Sequence, residues 1–395
     1  MGEPSFASPG ETRSVSVQFS MPLKRSLYLD QIKAVIVALV IAIHVPMAFF
    51  DIGWIGVHIP VEGSVGPFFT GFFRWYGYAL NSFIMPMMFL ISGYFVPRSV
   101  QKKGVLQYLQ GRLQRLGIPL LAGMLLINNS SILLASWSPG SRWAGQAFDE
   151  LPFNTVFVLW FLVVLLAFDL LYCCWVGLRG DRYAVDTTVP VPAMRSWLMS
   201  AIALGVLEVV MAMQTNLWSA LGRSPLNALA LQGPHIFTYA FLFFFGCKAS
   251  YHRWFERLDG YLVVKWIRLS MFLLLSQFGL LMAVSFNAGL LEKPALFALA
   301  GVFFYPFIAW GILSYLFLWF QRNEAHFGAW LATAGMNSYG AYVVHSLVLV
   351  VVLMAVGFIG INPWLIAMIS TVLSVCISFG LSGQLRRIPA VARIL

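Results

Sequence analysis

Apolar residues in this chain gather into long, nearly unbroken blocks, unlike the alternation of a strand or the one-sided stripe of a surface helix. Blocks of bilayer length cover Ile32 to Phe50, Tyr78 to Val96, Leu116 to Ser136, Phe153 to Val176, Trp197 to Gln214, His235 to Tyr251, Trp266 to Phe286, Leu296 to Phe320, Ser338 to Phe358 and Pro363 to Ser382. A helix needs about 20 apolar residues to cross the hydrocarbon core of a bilayer. Because backbone groups facing lipid must be satisfied within their own segment, such blocks fold as helices. The pattern predicts an all-α fold, a polytopic transmembrane bundle of about ten helices, with Gly66 to Gly77 left open as an extra interfacial segment. Residues 1–23 are rich in Ser, Gly and Pro, lack the apolar run of a signal peptide, and read as a disordered cytoplasmic tail. Residues 24–385 then form one membrane domain and 386–395 a short cytoplasmic tail, with no internal repeat between the halves.

Composition agrees with this class: 60% of the 395 residues are hydrophobic, 10% are charged, and the mean hydropathy is +0.81. A net charge of +10 would suit a nucleic-acid binder, but its distribution points elsewhere. If the N-terminus is cytoplasmic, the outer segments hold only Arg74, Arg142, Arg223 and Lys293, and the other 21 of the 25 Lys and Arg fall inside. That is a positive-inside signature, which places both termini in the cytoplasm; the expected location of the protein is a cell membrane, multi-pass, read as a bacterial inner membrane. The expected partners therefore include membrane lipids and no nucleic acid, and a second copy of the chain stays open. Cys173, Cys174, Cys247 and Cys376 lie within or at the ends of apolar blocks without metal-ligand spacing. They read as reduced core residues, and no metal is expected.

Lys33 and His44 are eleven residues apart in the first block. At about 100° and 1.5 Å per residue they share one helix face and lie roughly 16 Å apart along the axis. One sits at the membrane surface and the other near mid-bilayer, where an ionisable group is costly and is by default a functional hypothesis. A cation at the mouth of that face suits a long donor with a phosphate head. The plainer reading is that Lys33 snorkels to the interface and His44 bonds a neighbouring helix. Arg112 and Arg115, three apart at the opening of the third helix, can converge on one polyanion, or serve only as positive-inside anchors. Ser338, Tyr342 and His345 recur at helical spacing on one face. Asp169 and Glu208 are acids inside apolar blocks. Asp169 reads as a structural pair near Arg179 and Arg182. Glu208, near mid-membrane, is a candidate to orient a histidine or accept a hydroxyl, or else a protonated interhelical contact. Asp51, His58, Glu62, Asp149, Glu150, Arg223 and His235 are outer-loop groups that could meet a polar acceptor.

Several of these residues sit in recognisable strings. Tyr28-Leu29-Asp30-Gln31-Ile32-Lys33, with His44 after it, resembles the opening helix of the acyltransferase-3 family of integral-membrane O-acyltransferases, except that Lys33 stands where Arg is usual. Met88-Phe89-Leu90-Ile91-Ser92-Gly93-Tyr94 is similar to that family's Phe-Phe-Leu-x-Ser-Gly-Tyr signature. Arg112-Leu113-Gln114-Arg115-Leu116-Gly117-Ile118-Pro119 resembles its Arg-x-x-Arg-Leu-x-x-Pro string. Leu159-Trp160-Phe161 resembles the Leu-Trp-Phe signature of its glucan-modifying members, and Ser338-Tyr339-Gly340-Ala341-Tyr342-Val343-Val344-His345 its Ser-Tyr-x-x-Tyr-x-x-His run.

The resemblance implies transfer of an acyl group, acetyl or another small acyl, from cytoplasmic acyl-coenzyme A to a hydroxyl of a glycan, lipid-linked or small-molecule acceptor. In that reading Lys33, Arg112 and Arg115 hold the coenzyme A phosphates, while His44 acts as general base, since an imidazole's ordinary pKa lies near working pH. Glu208 is the second catalytic candidate, with Asp30, Ser92, Tyr94, Tyr342 and His345 supporting. An acyl-imidazole relay through His44 is the less favoured variant. The opposing class is a proton-coupled transporter or exporter, which intramembrane His and Glu with Pro46 and Pro86 would also suit.

Overall fold

The computed structural model describes residues 27–50, 56–61, 65–141, 143–180, 184–220, 235–287 and 294–394, with the side chains of 214–220 and 294–299 set aside. The proposed tail at 1–23 and the loop groups Asp51, Glu62 and Arg223 lie outside these residues. Among the described residues there is no strand. Ten long helices follow one another as α1 (Leu27–His44), α2 (Pro67–Lys103), α3 (Val105–Ser136), α4 (Trp160–Arg179), α5 (Met194–Ala220), α6 (Ile236–His252), α7 (Gly260–Phe286), α8 (Pro294–Arg322), α9 (Gly328–Val356) and α10 (Pro363–Leu385). Nine of them are long and apolar enough to span a membrane, and α6, at 17 residues, is marginally shorter. The expected bundle of about ten helices is the observed one.

Boundaries differ from the hydropathy blocks in an instructive way. Gly66 to Gly77 is not a separate interfacial segment: Pro67 starts α2, which continues for 37 residues through Pro86 and Pro97 to Lys103. Pro at the first helical turn is pre-organised for it, and Pro86 and Pro97 each remove one backbone donor from the ladder without ending the helix. Helices α3 and α9 likewise begin ten or more residues before their apolar blocks, at Val105 and Gly328. Apolar runs mark only the part of a helix at lipid depth, whereas backbone bonding carries on into the polar margin. Helix α4 starts later than its block, at Trp160 after a 3₁₀ turn. The Asn128 amide on α3 donates to the carbonyls of Thr155 (2.9 Å) and Val156 (3.2 Å), holding the preceding segment as a turn.

Helix α1 sits inside the bundle, packed against α2, α8, α9 and α10. Its buried positions Ile32, Ile36, Val37, Val40 and Ile41 are almost fully enclosed. Two close approaches fix this arrangement. A Cβ at Gly335 of α9 would lie 2.1 Å from the Asp30 carbonyl oxygen of α1. One at Gly93 of α2 would lie 2.0 Å from the Phe243 carbonyl oxygen of α6, and one at Gly246 would reciprocate 2.3 Å from the Leu90 oxygen. Small residues that let backbones touch are the usual device for packing helices in lipid. Gly93→Ala is therefore expected to force α2 and α6 apart and to destabilise the fold by about 1–3 kcal/mol or more, read as a lowered thermal unfolding midpoint in detergent. An unchanged midpoint would mean that this crossing is looser than described.

The loop between α4 and α5 is strapped to the end of α6. The Asp186 N–H donates to the Tyr251 carbonyl (2.9 Å), His252 Nδ1–H donates to the Asp186 carbonyl (2.8 Å), and Arg257 donates to the carbonyls of Thr187 and Val189. The Thr188 hydroxyl and N–H bond the Asp186 carboxylate and hold it below the usual carboxylate range. All four cysteines are free. Cys173 and Cys247 are buried as expected, whereas Cys174 and Cys376 face outward from their helices. A helix in lipid has an outer face as apolar as its inner one, so hydropathy does not separate the two.

Candidate functional site

A cavity of about 340 Å³ opens between the starts of α1, α3 and α9 and the end of α10. Its polar rim is built by Asp30, Lys33, Arg115, Ser338, Tyr339 and Arg386. Toward the bundle interior the lining becomes apolar, with Val37, Met88, Phe161 and Tyr342. Lys33 and Val37 are one helical turn apart, so the cavity follows the α1 face that leads to His44. Lys33 Nζ lies 2.7 Å from Oδ1 of Asp30, three residues earlier on α1.

Arg115 reaches this cavity and Arg112 does not. Arg112 Nε lies 3.0 Å from Asp169 Oδ2 and donates to the Tyr108 hydroxyl (2.7 Å), which in turn donates to Asp169 Oδ1 (2.6 Å). Asp169 is completely buried, and its ion-pair partner among the described residues is Arg112 on α3 and not Arg179, while Arg182 lies outside the described residues. The two arginines diverge because Leu113–Gly117 is a π-helical turn, whose extra residue rotates Arg115 away from Arg112. Tyr339 of α9 donates from its hydroxyl to the Arg115 carbonyl (2.6 Å), which sets that turn against the cavity wall.

Two turns beyond Val37, the α1 face ends at His44, half-buried, whose ring centroid is 5.2 Å from that of the fully buried His345 on α9. His44 Nδ1 bonds the Val40 carbonyl oxygen at 2.5 Å, and His345 Nδ1 bonds the Tyr342 carbonyl oxygen at 2.5 Å. A carbonyl oxygen only accepts, so each Nδ1 carries the proton and each Nε2 holds the lone pair when the ring is neutral. Tyr342 stands between this pair and the cavity. Its ring is 5.6 Å from that of His345 and 6.0 Å from that of Phe161, and its hydroxyl donates to the Val158 carbonyl. The site therefore has a cationic mouth, an apolar throat and a pair of basic nitrogens behind one tyrosine.

The remaining candidates are placed elsewhere. Glu208 on α5 is wholly buried and accepts hydrogen bonds from His235 Nδ1 (2.8 Å) and the Thr238 hydroxyl. The histidine it orients is thus His235, which stacks on Tyr305 at 3.7 Å between centroids. Tyr94 donates from its hydroxyl to the Glu256 carboxylate, and its ring packs on Phe255 at 4.9 Å. Ser92 is half-buried on α2 beside Gly93, whose close contact with α6 gives the Ser-Gly-Tyr string a packing role. Trp160 packs between Phe89 and Tyr239. Arg386 is the residue that sequence reasoning had counted only as an inner charge. No spacing rule connects position 386 with 33 or 115, because the link is made by α10 folding back against α1 and α9.

A family model described as an acyltransferase domain, Acyl_transf_3, matches residues 26–383. Over 167 residues the chain is 27% identical to glucans biosynthesis protein C of Escherichia coli strain K12, a match that covers 40% of each chain. The same protein in Escherichia coli O1:K1 / APEC and in O157:H7 strain EC4115 matches at 27% over the same length and share. The match thus spans well under half the length of these relatives. The chain belongs to the acyltransferase-3 family, and it is a multi-pass membrane protein.

Proposed function

We propose that the protein is an acyl-coenzyme A-dependent O-acyltransferase of a bacterial inner membrane, moving a small acyl group from the cytoplasmic donor to a hydroxyl of a glycan, lipid-linked or small-molecule acceptor at the outer face. The observation that carries this reading is the cation-rimmed cavity whose α1 wall, Lys33 and Val37, continues beyond the cavity along one helix face to the His44–His345 pair. A phosphate-rich head group suits Lys33 and Arg115 at the mouth. The slim arm of coenzyme A suits the apolar throat, and its thioester has to pass Tyr342 to reach His44. The curated relatives are named for glucan biosynthesis, which favours a glycan acceptor.

The chemistry follows from the tautomer. His44 Nε2 takes the acceptor hydroxyl's proton as its oxygen attacks the thioester carbonyl carbon. The new C–O bond forms, the C–S bond breaks, and the coenzyme A thiolate takes the proton from His44. His345 positions the His44 ring and shares its charge while the imidazolium exists. Glu208 acts at a distance from this step by fixing His235, and it supports the outer half of the bundle.

Orientation follows from the charge asymmetry, since the rim cations and most other Lys and Arg belong to one set of helix ends. Inside-out vesicles are expected to consume acetyl-coenzyme A from the medium, whereas sealed right-side-out vesicles need it loaded within. Equal consumption of external donor by intact vesicles of both orientations would refute the directional reading. Absence of coenzyme A binding and of slow acetyl-coenzyme A hydrolysis by the purified protein would remove the donor assignment and favour a transporter.

A further inference from the structure

Two of the three cations on the cavity rim come from helices already identified by their strings, and the third comes from the end of the last long helix. We propose that Arg386 is a donor-binding residue that holds a phosphate of the acyl-coenzyme A head group together with Lys33 and Arg115. The proposal rests on the donor reading above and adds α10 to the site.

Charge is the first argument. Lys33, Arg115 and Arg386 line the cavity with one carboxylate, Asp30, and that carboxylate is 2.7 Å from Lys33. Three cations less one anion leave two positive charges, held by the two guanidinium groups, neither of which has an ion pair to a carboxylate among the described residues. Elsewhere in the bundle the structure does pair a half-buried guanidinium, as Arg112 with the buried Asp169. A rim with two uncompensated guanidinium groups matches a ligand with several phosphate charges.

Geometry is the second. Arg386 Nη1 donates to Asn337 Oδ1 at 3.0 Å, and the Ser382 hydroxyl one turn earlier donates to the Asn337 carbonyl at 2.7 Å. Asn337 thus clamps the end of α10 to α9 and presets the guanidinium against the cavity, which lowers the ordering cost of binding. Arg386 Nε is buried and makes no hydrogen bond in the structure. A buried N–H without an acceptor is costly, and a small turn of the guanidinium toward a phosphate oxygen in the cavity would supply one. An anionic phospholipid head group carries the same phosphate chemistry, so the test separates the two sources.

The experiment measures coenzyme A affinity of the purified full-length protein and of Arg386→Gln, Arg386→Lys, Asn337→Ala and Arg387→Gln, each checked for a native elution profile. Arg387 is the exposed neighbour that does not line the cavity. Arg386→Gln should weaken binding about 10- to 100-fold, as expected for loss of a charge-assisted pair. Arg386→Lys should recover part of that loss, because a point charge cannot replace the planar fork. Asn337→Ala should weaken binding by a smaller factor, and Arg387→Gln should not change it. If Arg386→Gln fails to fold, Arg386→Lys and Asn337→Ala carry the comparison, and wild-type affinity in both overturns the proposal. Equal affinity of wild type and Arg386→Gln also overturns it while leaving the donor reading intact. A wild-type protein that binds no coenzyme A defeats the donor reading itself, and this proposal with it. Native mass spectrometry in mixed-lipid nanodiscs supplies the last arm: loss of bound anionic phospholipid in Arg386→Gln with coenzyme A affinity retained assigns the cation to lipid and overturns the donor role.

Discussion

His44→Ala is expected to lower acyl transfer by about 10²- to 10⁴-fold while coenzyme A affinity stays near the wild-type value. His44 lies two turns beyond Val37, the last α1 residue on the cavity lining, so its removal leaves Lys33, Arg115 and Arg386 in place. The loss should appear in turnover and not in donor binding, because a general base acts only where the proton moves. His345→Ala should give a smaller loss of the same kind, since it removes the ring beside His44 and leaves His44 Nδ1 tied to Val40. Single-turnover measurements with radiolabelled acetyl-coenzyme A and a hydroxyl acceptor check both. Near-wild-type turnover in a well-folded His44→Ala protein would end the assignment.

The second large effect is on stability. Asp169→Ala should destabilise the protein by about 3–5 kcal/mol, the usual cost of breaking a buried ion pair from one side. Asp169 is fully enclosed, and without it the Arg112 guanidinium keeps only the Tyr108 hydroxyl as a hydrogen-bond partner among the described residues. The penalty comes mainly from leaving a desolvated charge uncompensated, so a double apolar replacement of Arg112 and Asp169 should recover much of it. Arg115→Ala is the contrasting substitution: it should weaken coenzyme A binding and leave stability nearly unchanged, because Arg115 is exposed on the cavity rim. Thermal unfolding in one detergent, run beside coenzyme A titration, separates the two arginines. A stable Asp169→Ala protein that has lost donor binding would place Arg112 in the binding site after all.

Much of this protein is legible before folding. Block length and the absence of alternation determine an all-helical membrane bundle, because lipid leaves the backbone no other partner than itself. Helical periodicity alone puts Lys33 and His44 on one face, and Ser338, Tyr342 and His345 on another, since those relations lie within a single helix. What periodicity does not contain is the meeting of one helix with another. The pairing of His44 with His345, the partnership of Arg112 with Asp169, the attachment of Glu208 to His235 and the arrival of Arg386 at the cavity each join residues distant in sequence. Even the divergence of Arg112 from Arg115, three residues apart, depends on a π turn that an ideal helix does not predict. Apolar surfaces in a bilayer are nearly interchangeable, so hydropathy does not choose neighbours. Close backbone contacts at Gly93, Gly246 and Gly335, together with buried polar pairs, make that choice, and it exists only once the helices have packed.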